Sequence, residues 1–160
     1  MNAFVADVAR TWARRDRDAI LAQLRDNVET GVTPPGVPRL APLADAVLHG
    51  LDIRIPLGRS VPVDHESFVL LADWFTGLRG PAAMLLGGST KRRLTGVRVV
   101  AEDLDCAYGT GAEARGRSDV VLAALGGRSV PADSLSGPGA GLLRSRLPAP
   151  AAGTEKPDLR

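Results

Sequence analysis

Residues 94–102 read Leu-Thr-Gly-Val-Arg-Val-Val-Ala-Glu, and here the periodicity of the chain changes. Val97, Val99 and Ala101 alternate with Arg98, Val100 and Glu102, the two-residue repeat of a strand with one buried face. Downstream, Cys106 to Tyr108, then Gly109-Thr110-Gly111, then Glu113 to Arg115 predict a strand, a turn and a strand. Ser118 suits the cap of a helix over Val120 to Leu125, with Gly126 as its stop. Gly137-Pro138-Gly139 opens a last short helix through Leu142 and Leu143. From Pro148 the chain is rich in Pro, Ala and Gly without apolar periodicity, which predicts a disordered tail.

Upstream of Leu94 the texture is helical. Asn2 suits the cap of a helix carrying Val5, Val8 and Trp12, and Asp18 the cap of a second with Leu21, Leu24 and Val28. Asn27 to Arg39, with glycines and prolines at 31, 34, 35, 36 and 38, reads as a loop. Pro42 fits the first turn of a third helix with Leu43, Val47, Leu51 and Ile55 as its stripe, ended by Pro56. Asp64 suits the cap of a fourth helix through Phe68, Leu71 and Leu78, ended by Gly80-Pro81. The expected class is α+β: helices over 1–80, a linker over 81–93, a small α/β domain over 94–147 and the tail over 148–160.

With 160 residues, 44% of them apolar, the chain can bury a core. Net charge is only +2, and the basic residues are interleaved with acids, which argues against a nucleic-acid partner. Arg14-Arg15 and Arg92-Arg93 read as solvated helix ends or loop charges. No apolar run approaches the roughly 20 residues that span a bilayer, so no membrane partner is expected. A single cysteine, Cys106, excludes an intramolecular disulfide and fits a cytoplasmic setting. It lies in an expected strand with no histidine near it in sequence, and reads as a core thiol; His65 reads as an exposed first-turn residue. Gly87-Gly88-Ser89-Thr90-Lys91 lacks the order of a phosphate loop.

The chemistry-bearing stretch is residues 45–58, Asp-Ala-Val-Leu-His-Gly-Leu-Asp-Ile-Arg-Ile-Pro-Leu-Gly. On a helix Asp45, His49 and Asp52 project from nearly one direction. A carboxylate one turn from an imidazole is a two-ligand clamp for a divalent metal. The same spacing equally fits a first-turn acid and a histidine hydrogen-bonded to Asp52. Asp52 can orient His49, or tie the helix end to the Pro56 turn together with Arg54.

Several segments, in order, resemble the mycothiol-dependent maleylpyruvate isomerase family. They are residues 33–38 (Thr-Pro-Pro-Gly-Val-Pro), the His-Gly-x-Asp-Ile-Arg-x-Pro-Leu-Gly core within 43–58, and Gly109-Thr110-Gly111-x-Glu113-x-Arg115-Gly116. Ala124-Leu125-Gly126-Gly127-Arg128 and Ser136-Gly137-Pro138-Gly139 complete the set. The resemblance implies a DinB-like helical bundle, partial here, followed by a small α/β domain. It implies a divalent metal, zinc foremost, with mycothiol as thiol cofactor and cis–trans isomerisation of a dicarboxylate substrate. Asp45 and His49 then correspond to an acid-x-x-x-His ligand pair, with Asp where the characterised enzyme has Glu. Arg115 corresponds to a carboxylate-binding arginine.

The family's earlier histidine ligand, on a helix ahead of the segment matching Met1, has no counterpart. The expectation is therefore a truncated member with weak metal binding and little isomerase activity. The alternatives are a non-catalytic binding or assembly module, or another mycothiol S-transferase. Missing bundle partners would expose Val8, Trp12, Val47 and Leu51 and favour a homodimer.

Overall fold

The computed structural model describes residues 2–31, 37–59, 61–85 and 88–149, and of residues 2–5, 81, 82 and 85 the backbone alone. Of the expected loop, residues 27–30 instead continue a helix, Arg17–Thr30, and 32–36 lie outside the described residues, as does the expected tail from 150 onward. The chain forms two compact units, Met1–Arg39 and Leu40–Arg160.

The first unit contains α1 (Asn2–Ala13) and α2 (Arg17–Thr30). Asn2 is the first helical residue of α1, and Asp16, not Asp18, caps α2. The Asp16 carboxylate accepts from the backbone N–H groups of Asp18 and Ala19 at 2.9 and 3.1 Å. Asp18 instead sits in the first turn, where its charge meets the positive end of the helix dipole. No residue of α2 is buried.

The second unit runs α3 (Ala41–Arg54), α4 (His65–Gly77), α5 (Gly80–Leu85), α6 (Thr90–Arg93), β1 (Val97–Ala101), β2 (Cys106–Gly109), β3 (Ala112–Gly116), α7 (Ser118–Leu125) and α8 (Ala140–Arg144). This is a mixed α+β architecture, with the change from helix to strand between Arg93 and Val97. Gly80-Pro81 opens α5 rather than closing α4, which already ends at Gly77.

The three strands stand in the order β2-β1-β3. β1 pairs antiparallel with β2, from Arg98↔Gly109 to Ala101↔Cys106, and parallel with β3, from Val97↔Ala112 to Ala101↔Gly116. Gly109-Thr110-Gly111 is therefore not a hairpin turn. It carries the chain across the start of β1, from one flank to the other. The passage is close: a Cβ on Gly109 would lie 2.4 Å from the Val97 carbonyl oxygen, and one on Gly111 2.2 Å from that of Gly96. Both glycines also have positive φ, 83° and 127°, a region L side chains avoid.

One core unites α3, α4, the sheet and α7. Leu48, Phe68, Leu71, Val97, Val99, Val121, Leu122 and Leu125 belong to a single buried cluster. Each such side chain contributes about 1.5–3 kcal/mol of burial. Every residue of α7 is buried, as expected of a helix apolar nearly all round. Its N-terminus is not capped by Ser118. Asp103, in the turn after β1, accepts from the Ser118 backbone N–H at 2.6 Å and from its hydroxyl at 2.7 Å. At the other end, Arg93 is buried, and its guanidinium donates to the Leu125 carbonyl at 2.7 Å and to the Thr90 hydroxyl oxygen at 3.0 Å. A cation there complements the negative end of the α7 dipole. Burial lowers the Arg93 pKa without removing its charge. The expectation of a solvated Arg93 is thus corrected, while Arg92 is exposed.

Candidate functional site

Ala44, Leu48 and Leu51 bury one stripe of α3 in the core. Asp45, His49 and Asp52 follow one position round the helix and are exposed. The spacing brings the three side chains together. His49 Nε2 lies 3.2 Å from Asp45 Oδ1, and His49 Nδ1 lies 3.3 Å from Asp52 Oδ2. Asp52 also faces Arg128, whose Nε is 3.2 Å from Oδ1. That Nε makes no well-directed hydrogen bond, so the Arg128 contact is an ion pair. Arg128 follows the Gly126-Gly127 turn at the end of α7, where Gly127 takes a φ of 75°.

The imidazole thus lies between two carboxylates. Both contacts are at ion-pair distance, and neither is a well-directed hydrogen bond from the ring. Asp45 faces Nε2 and Asp52 faces Nδ1. Two donors on a tetrahedral zinc at about 2.0–2.1 Å stand about 3.4 Å apart, close to the observed 3.2 Å. Asp45 and His49 therefore fit two ligand positions. Asp52 engages the opposite ring nitrogen and does not share that position. Among the described residues no group of three or more His, Cys, Asp or Glu side chains could hold a metal ion. Two protein ligands fall short of the three of a catalytic zinc centre.

Arg115 is not brought to this face. Its guanidinium is hydrogen-bonded to Glu113, which also pairs with Arg98 at 2.6 Å. The hydrogen bond from Arg115, supported by Arg98 and opposed by partial desolvation, holds the Glu113 carboxyl below its usual value. By strand alternation Glu113 and Arg115 share one sheet face with Arg98, whereas Val97, Val99 and Ala114 point to the buried cluster that receives α3.

Of the residues expected to be exposed, Val8 and Trp12 are so, and Leu24 and Val28 join them. Val47 and Leu51 are not. Leu51 is buried and Val47 is packed against the core, where α7 packs on α3.

A second cluster escaped the sequence reading. Cys106 is half-buried rather than enclosed, and its Sγ lies 3.7 Å from His65 Nε2 in the first turn of α4. Cys106 and Tyr108 share the β2 face that meets α4, with the Phe68 and Tyr108 rings edge to face at 6.2 Å. Burial, reinforced by a hydrogen bond to Asp73, pushes the Tyr108 pKa up to about 12. His65 stands 41 residues before Cys106, and Asp73 35 residues before Tyr108. Neither separation is a local motif, so sequence proximity gave no sign of the pairing.

Comparison with family models, with curated proteins and with solved structures yields no match for the chain. No described helix is long and apolar enough to cross a membrane.

Proposed function

We propose that the chain belongs to the mycothiol-dependent maleylpyruvate isomerase type, with the later half of the metal site on α3. Little isomerase activity resides in these residues by themselves. The observation that supports this is the Asp45–His49–Asp52 array: an acid and an imidazole at ligand spacing, with a second carboxylate on the far ring nitrogen. In this proposal α3 is a ligand-bearing helix of a DinB-like bundle, and the setting is cytoplasmic. The metal, zinc foremost, would supply Lewis acidity toward a thiol such as mycothiol. Asp45 and His49 would hold it, and Asp52 would fix the imidazole ring. Arg115 would bind a substrate carboxylate only by exchanging it for Glu113.

A second proposal, a non-catalytic assembly module that self-associates, is favoured by the exposed Val8, Trp12, Leu24 and Val28. Titration with zinc, followed by an assay of maleylpyruvate isomerisation with mycothiol, tests the first. The expected result is weak zinc binding that His49→Ala abolishes, with negligible turnover. Zinc binding unchanged in both Asp45→Ala and His49→Ala would refute the half-site. Tight one-to-one binding with turnover would refute the impairment.

A further inference from the structure

We propose that Cys106 and His65 form a thiol–imidazole dyad that undergoes exchange with small-molecule disulfides, making Cys106 a site of reversible S-thiolation. The dyad is independent of the α3 site and shares no residue with it. Its parts come from two elements locked in one core: β2, which carries Cys106, and α4, which carries His65.

The thiol has one proton and two acceptors. Sγ lies 3.4 Å from the Leu104 carbonyl oxygen and 3.7 Å from His65 Nε2. Only the imidazole is basic enough to remove that proton, and it does so in the tautomer with its proton on Nδ1. β2 is an edge strand, paired with β1 alone among the described residues, and His65 is exposed. A small disulfide therefore approaches from the open flank of the sheet. Tyr108, on the same face, is the nearest other titratable side chain of β2. Its phenol is hydrogen-bonded to Asp73 and uncharged at neutral pH, so it does not repel a developing thiolate.

The step balances without a further oxidant. His65 Nε2 takes the Sγ proton. Sγ attacks one sulfur of the disulfide, a new S–S bond forms to Cys106, and the old S–S bond breaks. The leaving thiolate takes the proton back from the imidazolium. The net change is Cys106 thiol plus disulfide giving mixed disulfide plus free thiol, and a small thiol in excess reverses it.

Cys106 is the only cysteine, so every adduct reports this one sulfur. The test uses the full chain and neutral hydroxyethyl disulfide near pH 7, with adduct formation followed by intact mass. The native chain should react faster than the same chain unfolded in urea, and Cys106→Ser should form no adduct. His65→Gln, a substitution at an exposed helical position, should slow the native rate at least tenfold, the low end below a general-base contribution of about 10²–10⁴. A His65→Gln rate equal to that of the parent overturns the dyad. So does a native chain that reacts no faster than the unfolded one, a comparison that needs no variant to fold.

Discussion

Gly126→Ala should destabilise the protein through one side chain, Leu48. Gly126 has a φ of −75°, which any residue adopts, so backbone strain plays no part. The obstacle is space. A Cβ at this position would sit 2.5 Å from Leu48 Cδ2, 3.1 Å from Leu48 Cδ1 and 3.4 Å from the Leu122 carbonyl oxygen. Leu48 is 1% exposed and hemmed in by the common core, so its methyls have no vacant volume to enter. Overpacking of this kind costs about 1–3 kcal/mol. The reduced freedom of the unfolded chain offsets about 0.4–1 kcal/mol of it. The net loss should be about 1–2 kcal/mol, read as a lower urea midpoint at unchanged slope. Leu48→Ala alone should cost about 2–5 kcal/mol. In that background Gly126→Ala should cost nothing, because the clashing methyls are gone. Gly50→Ala, within the same helix as Leu48 and with nothing within 4 Å of the added Cβ, should instead gain about 0.5–1 kcal/mol. If Gly126→Ala costs the same with and without Leu48, the contact between α3 and the end of α7 is not the one described.

Asp64→Ala removes the cap on the Ser67 backbone N–H, 2.9 Å away, and should cost about 1 kcal/mol at neutral pH. The Ser67 backbone hydrogen bond lowers the Asp64 pKa, so its stabilisation is present above the ordinary value of 3.8 and is lost as pH falls from there through the folded value. The stability gap between parent and variant should therefore close in acid urea melts. Tyr108 is the only tyrosine, so phenolate absorbance reports it alone. The native midpoint should fall near 12 against an ordinary 10.0, with stability lost as pH rises across that interval. Asp73→Asn should lower the midpoint, and an unmoved value would contradict the Asp73–Tyr108 hydrogen bond.

What could be read in the sequence was local. Pro42 in the first turn of α3, Asp64 before α4, Gly126 after α7 and the strand from Val97 to Ala101 each act within a few residues, and each is found, although Val100 is buried along with the alternate face. The Asp45–His49–Asp52 array is legible for the same reason, since helical spacing alone assembles it. What could not be read depends on partners distant in sequence. Asp103 caps α7 across 15 residues, Arg93 reaches Leu125 across 32, and Cys106 meets His65 across 41. Local propensity favoured Ser118 as a cap, solvent for Arg93 and burial for Cys106. Tertiary packing overrode all three. The two glycines after Tyr108 marked a change of direction, but the flank on which β3 settles is decided by its pairing with β1.

That choice of flank leaves the chain between β2 and β3 with almost no slack. Neighbouring strands lie about 4.8 Å apart, so reaching past β1 means covering about 10 Å. Three Cα-to-Cα steps, from Gly109 to Ala112, reach about 10–11 Å when extended. Deleting one residue would leave a tether of about 7 Å, too short for both strands to hold their registers at once. An insertion here would loosen a strap that is now held taut across the mouth of β1. In most folds an exposed connection between strands is where length varies freely. In this protein the segment around Thr110 should be among the least tolerant of any change in length, although Thr110 itself is exposed.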